Sequence, residues 1–266
     1  MKRSIIVGII VLLMLAVVAC DQESSLQDAI ARAIAKTSEV QSFHSTTNDI
    51  ILTDNYVQSR SSEYEYASPD HWHYLQTVTL NGGGNVTVRI FGTSGEGEYW
   101  GAEGSSGWTE IIAIDGMFYI RDEDQPEWTE STTSWMSRPL DNKFERYRFL
   151  VDLERLIDEN IRGVNCSHYR GKVDMDAYVE MMKKRAEEQD ENIPEEMLES
   201  WKRMRRDELV VDFWIDDEDY IRQWKTEGRT PALYNATGQE QWDTGVSFTR
   251  YFDINKPITI EPPEME

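Results

Sequence analysis

The chain has 266 residues, of which 49 are Asp or Glu and 27 are Lys or Arg, so its formal net charge is −22 at pH 7. This charge excludes nucleic acid as a partner, since a strongly acidic protein repels phosphates. The chain has only two cysteines, Cys20 and Cys166, which excludes a framework of several disulfides.

The first residues have the pattern of a secretory signal. Lys2 and Arg3 precede an uncharged stretch over residues 5–18. A stretch of this length is too short to span a bilayer comfortably and is typical of a signal-peptide core. We therefore expect residues 1–19 to be a signal peptide and the mature protein to be extracytoplasmic.

Residues 17–20, Val-Val-Ala-Cys, resemble the lipobox of bacterial lipoproteins. The resemblance implies that Cys20 is acylated, begins the mature chain and is followed by a tether over residues 20–25. Lipoprotein maturation supplies two or three chains such as palmitate, enough for stable anchoring, whereas one chain binds marginally. The protein would then lie on the outer leaflet of the inner membrane, or on the outer face of a single membrane. The alternative is an ordinary secretory signal with an unrelated cysteine.

Residues 26–266 are predicted to form a single domain that opens with a helix. Leu26, Ile30, Ala33 and Ile34 recur at helical spacing, which predicts an amphipathic helix of about four turns. From Phe43 onward the apolar period changes to two, which indicates strands.

The next part of the chain is predicted to be a consecutive antiparallel meander. Turn residues such as Asn, Gly, Pro and Asp separate its apolar runs. The predicted strands cover residues 42–53, 58–67, 71–80, 86–91, 108–114, 117–121, 127–131 and 161–173. A Gly-rich loop is expected over 92–107, and the three-residue spacing of leucines predicts a short helix over 149–157.

Residues 174–207 are predicted to be a helical insertion. Two apolar stripes, one containing Met182 and one containing Met197, indicate two amphipathic helices. Methionine side chains suit a surface that adapts to ligands of different shape, although ordinary core filling explains them equally well.

A hairpin over residues 209–225 follows the insertion. Leu209, Val211, Phe213 and Ile215 alternate with mixed residues, which predicts a strand with one buried face. An acidic turn then leads into a second strand. Because a long hairpin cannot bury its apolar face alone, the sheet must continue and helices must cover it.

The sequence contains no recognisable catalytic or metal site. His71 and His73 share a strand face, a spacing that can hold a metal, but a third ligand is missing nearby. The acidic runs lack the pattern of a calcium loop, and there is no Gly-x-Ser-x-Gly motif. We therefore expect no metal, no cofactor and no enzyme activity.

The chain contains, in order, the short segments Val-Gln-Ser-Phe-His at 40–44, Ala-Ser-Pro-Asp at 67–70, Ile-Asp-Gly-Met-Phe-Tyr-Ile at 114–120, Tyr-Arg-Gly-Lys-Val-Asp at 169–174 and Val-Asp-Phe-Trp-Ile-Asp at 211–216. Taken in this order, they resemble the bacterial superfamily of LolA, LolB and the LppX/LprG-type lipoproteins. The resemblance implies an α+β fold: an incomplete, strongly curved antiparallel β-barrel of about 10–11 strands, wrapped around or capped by a few helices. It also implies an apolar cavity that binds lipid or acyl chains.

We expect the following residues to line that cavity: Trp72, Tyr74, Val88, Val211, Phe213 and Ile215, with Met182 and Met197 on the capping helices. The implied function is binding of a lipid or acylated ligand, for lipid or lipoprotein transport or for envelope maintenance. One alternative is an envelope sensor or protein-interaction lipoprotein with a filled core. A third class is a lipid or glycan hydrolase that uses scattered carboxylates.

Overall fold

A computed structural model describes residues 25–52, 57–68, 70–81, 87–88, 102–103, 107–132, 144–189, 209–231 and 242–265. Its helices are α1 (25–38), a 3-10 turn (Glu145–Arg148) and α2 (Met175–Gln189). Its strands are β1 (Ser42–Leu52), β2 (Val57–Ala67), β3 (His71–Asn81), β4 (Thr87–Val88), β5 (Ala102–Glu103), β6 (Gly107–Ile114), β7 (Met117–Asp122), β8 (Thr129–Ser131), β9 (Leu150–Arg155), β10 (Glu159–Ile161), β11 (Val164–Val173), β12 (Leu209–Ile215), β13 (Ile221–Pro231) and β14 (Trp242–Phe252).

Twelve of these strands form one antiparallel sheet. Their order is β10-β11-β12-β13-β14-β1-β2-β3-β6-β7-β8, with β9 also pairing to β11. In the described residues β8 and β10 are the two ends of this order, so the sheet does not close. The predicted fold class, an incomplete curved antiparallel barrel with helices, is therefore confirmed, with slightly more strands than expected.

The meander is not consecutive as predicted. Strand β3 pairs with β6 along residues 72–78, while β4 pairs with β5 in a separate two-stranded sheet. The prediction of one strand over 161–173 is also wrong at its start. A tight turn at Arg162 and Gly163, both with positive φ, joins β10 to β11.

The helix predicted over 149–157 is wrong, because most of that segment is strand β9. Between Val151 and Glu154 the pairing of β9 with β11 shifts register, so β9 contains one extra residue. Asp152 in this bulge has a φ of 53°. The extra residue lets Leu150 and Leu153 both contact the core despite a three-residue spacing. The leucine spacing that indicated a helix is therefore produced by a β-bulge.

Helix α1 lies against one face of the large sheet, which we call the inner face and which carries Phe43, Trp72 and Phe213. The apolar side of α1, including Ile30 and Ile34, is buried in the same cluster. Two hydrogen bonds fix the helix along the sheet: the Ile221 amide donates to Thr37 Oγ1 at 3.0 Å, and Gln27 Nε2 donates to the Leu150 carbonyl at 3.2 Å.

Helix α2 lies in the first half of the segment predicted to be a helical insertion, and the second half, from residue 190 onward, lies outside the described residues. The Asp174 side chain caps α2 by accepting a hydrogen bond from the Ala177 amide at 3.1 Å. Arg185 ties the helix to Glu145 of the 3-10 turn. In the described part of the chain, no helix combines the length and the apolar character needed to cross a membrane.

Candidate functional site

Five of the predicted cavity residues lie together on the inner face. Trp72, Val211, Phe213 and Ile215 are buried in the main hydrophobic cluster, and Tyr74 is partly buried against it. The remaining predicted residues have other positions. Val88 lies in β4, which pairs with β5 rather than with the large sheet. The structure describes only the backbone of Val88. Met182 is half-buried on α2, while Met197 and Cys20 lie outside the described residues.

The end of the inner face nearest α1 is filled with aromatic side chains. Phe43 packs against Tyr66 and Tyr251, with ring centroids 5.3 Å apart in both pairs. Tyr147 of the 3-10 turn inserts over β12 and β13, where its ring lies 5.6 Å from Phe213. We call this region the aromatic end. It is a packed core, because its largest side chains are almost fully buried.

Further along the same strands the inner face becomes polar. The register places Thr47, Ser62, Gln76 and Thr249 in one row across four neighbouring strands, and Gln58, Arg60 and Asp49 lie beyond that row. We call these seven residues the polar band. The Thr47 and Thr249 hydroxyls lie 2.9 Å apart, and Ser62 Oγ lies 3.2 Å from Tyr74 Oη.

Several polar atoms in and beside this band are buried without a hydrogen-bond partner among the described residues. They are Gln58 Nε2, Arg60 Nε and Tyr64 Oη. Gln58 is only 5% exposed. A buried donor without an acceptor costs roughly 1–3 kcal/mol, so proteins rarely keep one without a reason.

The tyrosines beside the band remain neutral donors at physiological pH. Burial raises the pKa of Tyr64 far above its ordinary value, and the neighbouring Tyr74 and Tyr66 raise it further. Burial also raises the pKa of Tyr74, while the Arg60 charge lowers it and the Asp49 charge raises it.

Sequence reasoning did not find the polar band. In β2, inner-face Gln58, Arg60 and Ser62 alternate with Ser59 and Ser61, so both faces are polar and the alternation gives no indication of which one is buried. A Gln, Arg and Ser series that ends in two tyrosines on the same face was the available signal. This series identifies the buried face only when the register of β2 with β1 and β3 is known.

The prediction that β12 buries only one face is wrong. Asp212 and Trp214, on the face opposite Phe213, are almost as buried as the apolar residues. Asp212 accepts hydrogen bonds from His168 Nε2 at 2.8 Å and from Arg170 Nε at 2.9 Å. His168 stacks on Trp214 with ring centroids 4.2 Å apart. Long side chains of the adjacent strand therefore cover this outer face and pair its buried carboxylate.

The histidines considered as metal ligands are held by carboxylates. His71 lies 3.0 Å from Asp115, and His73 lies 2.7 Å from Glu110. Within the described ranges, no three His, Cys, Asp or Glu side chains are placed to hold a metal ion together.

No family model and no curated protein matches this sequence. Among solved structures, the chain is similar to LprF from Mycobacterium bovis, with a TM-score of 0.50 and 10% identity over 90% of this chain and 97% of that one. It is also similar to the Mycobacterium tuberculosis lipoprotein LppX, with a TM-score of 0.47 and 11% identity over 90% of this chain and 99% of that one. The likeness to LprF shows the fold that the resemblance to LppX/LprG-type lipoproteins implied.

Proposed function

We propose that this protein is an extracytoplasmic lipoprotein that binds a lipid or acylated ligand on the inner face of its open sheet. The proposal rests on one observation: part of the apolar surface of the inner face is not covered by the core. Tyr64, Tyr74 and Ile120, on β2, β3 and β7, pack against the hydrophobic cluster but are only partly buried. Acyl chains are suited to such a surface, because hydrophobic binding is non-directional and proportional to the apolar area removed from water.

In this proposal the chain is organised as a signal peptide over 1–19, acylated Cys20 with a tether over 20–25, and one domain over 26–266 that carries the insertion at about 174–207. The acyl chains on Cys20 hold the acidic domain at the membrane, since the domain itself is repelled by anionic headgroups. The role is binding, in lipid or lipoprotein transport or envelope maintenance, without catalysis.

The anchor is tested by replacing Cys20 with serine. The variant should be released from membranes into the soluble extracytoplasmic fraction, because it has no acylation site. Attachment that persists and needs detergent for release would contradict the anchor at Cys20.

Ligand binding is tested by mass spectrometry of the organic extract of the purified protein. Lipid that co-purifies in a fixed ratio to protein supports the proposal. An Ile215→Trp variant then asks whether the predicted cavity residues line the ligand site. If they do, the variant stays folded and loses the lipid.

The packing of the aromatic end favours a second candidate, an envelope sensor or protein-interaction lipoprotein with a filled core. Phe144 and Tyr147 occupy the space over Trp224 and Phe213, where the predicted cavity residues lie. Overfilling a packed core typically costs about 1–3 kcal/mol. An Ile215→Trp variant that is severely destabilised, together with an extract that contains no lipid, would support this candidate, whose partner would be another envelope protein.

A further inference from the structure

The polar band on the inner face contains donors that the fold itself does not use. Gln58 and Arg60 are two residues apart in β2, so their side chains leave the same face with Cα atoms roughly 7 Å apart. Gln58 Nε2 and Arg60 Nε are both buried with no acceptor among the described residues. Two neighbouring unused donors indicate that an acceptor belongs between them.

The charges around the two donors favour a neutral acceptor over an anion. Asp49 lies directly opposite Arg60 in the register of β1 with β2, and both influence the pKa of Tyr74. Their formal charges cancel, and the chain as a whole is strongly acidic. Because the two charges cancel, the pair offers an anionic ligand no net attraction and the acidic chain repels it, whereas an uncharged carbonyl oxygen can accept the hydrogen bonds without that repulsion.

The surroundings of the donors match an acyl ligand with a polar end. On one side the inner face continues through Ser62 and Gln76 to the partly buried rings of Tyr64 and Tyr74. A hydrocarbon chain can lie on those rings while its linking group reaches Gln58 and Arg60. We propose that Gln58 and Arg60 form a subsite that binds the ester carbonyl oxygens of an acyl lipid, an inference that rests on the proposed lipid binding.

The experiment compares two glycerolipids that differ only in the proposed acceptor. Dipalmitoylglycerol has two ester carbonyl oxygens, and dihexadecylglycerol is the ether analogue without them. Radiolabelled forms of each are incubated with the delipidated full chain in a non-ionic detergent, and bound ligand is counted after gel filtration. Palmitate serves as the anionic ligand of the same chain length.

The wild-type protein should bind the ester at least about tenfold more tightly than the ether, since a carbonyl that satisfies two otherwise unpaired donors contributes roughly a factor of ten or more. Palmitate should bind more weakly than the ester. Gln58→Leu and Arg60→Met should each lower affinity for the ester towards that of the ether and leave the affinity for the ether unchanged.

Gln223→Leu is the matched control. It replaces a buried glutamine on the outer face, whose Oε1 accepts a hydrogen bond from Arg250 Nε, and it should leave the preference for the ester intact. Equal affinity of the wild-type protein for ester and ether would overturn the subsite while lipid binding stands, and would mean that water alone fills the polar band. Tighter binding of palmitate than of the ester would overturn the neutral acceptor. No binding of any of the three lipids would contradict the proposed function itself.

Discussion

The outer face of β12 and the polar band of the inner face both bury polar side chains, but they treat them differently. On the outer face, the Asp212 carboxylate is paired with His168 and Arg170. In the polar band, Gln58 and Arg60 each keep a buried donor without a partner among the described residues. The first arrangement serves the stability of the fold, because its groups satisfy one another. The second costs stability and is suited to an external partner.

The outer face also has a buried donor that is not paired within the described ranges. Trp214 Nε1 there is also buried without a hydrogen-bond partner in the described part of the chain. The indole ring, however, is fixed by stacking on His168. A single N–H in a stacked ring differs from two neighbouring donors in a row of polar side chains, where a ligand atom can contact both.

The largest expected effect comes from breaking the paired carboxylate. Asp212→Ala should lower the free energy of unfolding by about 3 kcal/mol, because His168 Nε2 and Arg170 Nε both lose their acceptor and each lost acceptor costs roughly 1–3 kcal/mol. Urea unfolding followed by tryptophan fluorescence measures the loss. Glu159→Ala, which removes a half-exposed partner of His168, is the control and should cost less than about 1 kcal/mol. Equal losses in the two variants would show that the cost of removing a carboxylate beside His168 does not depend on its burial.

The second-largest effect is expected for the buried thiol of Cys166, which lies on the same strand as His168, the partner of Asp212. Burial, followed by the charge of Asp216, raises the pKa of Cys166 from 9.0 to about 11. The folded protein therefore holds this proton more tightly than the unfolded chain, so stability is intact below pH 9 and falls as pH rises towards 11. One pKa unit corresponds to about 1.4 kcal/mol, so the full rise corresponds to about 3 kcal/mol, of which about 2 kcal/mol is lost by pH 11.

The measurement is urea unfolding at several pH values between 8 and 11, for the wild type and for Cys166→Ala. Raised tyrosine pKa values act in both proteins, so only the difference between them reports the thiol. Parallel pH curves for the two proteins would show that Cys166 does not contribute.

A smaller effect is expected in the part of the polar band that is already paired. Gln76 Nε2 donates to the Tyr74 hydroxyl, which also contacts Ser62. Gln76→Leu should lower the free energy of unfolding by about 1 kcal/mol, because the bonds from Gln76 Nε2 to Tyr74 and Ser62 are lost while Tyr74 and Ser62 remain each other's partner. Thermal unfolding by circular dichroism detects this change. A gain in stability would mean that the paired residues of the band are strained as well.

The smallest effect, and the one of opposite sign, is expected for Gln58→Leu. The substitution removes an unpaired buried donor, so the free energy of unfolding of the ligand-free protein should stay the same or rise by up to about 1 kcal/mol. The same thermal unfolding experiment compares it with Gln223→Leu, which should be destabilised because Arg250 Nε loses its acceptor. Comparable destabilisation of both variants would remove the difference between the outer face and the polar band.

The sequence by itself determined the elements whose pattern depends on near neighbours. The helical spacing of Ile30 and Ile34 predicted α1, and alternation along 209–215 predicted β12 with its apolar face inside. Turn residues placed most strand ends within a few positions. The ordered segments also supported the correct fold class, because that order is a property of the chain.

Only the tertiary structure decided what depends on residues far apart in the chain. The bulge in β9 made strand leucines resemble a helix, since its effect appears only when β11 pairs with it. Asp212 became buried because His168 and Arg170, more than 40 positions earlier in the sequence, cover and pair it. The polar band exists only as a row across β14, β1, β2 and β3, whose register brings together residues about 200 positions apart. Local alternation shows that side chains point to opposite faces, but which face is buried, and what remains unpaired there, is set by the strands that become neighbours.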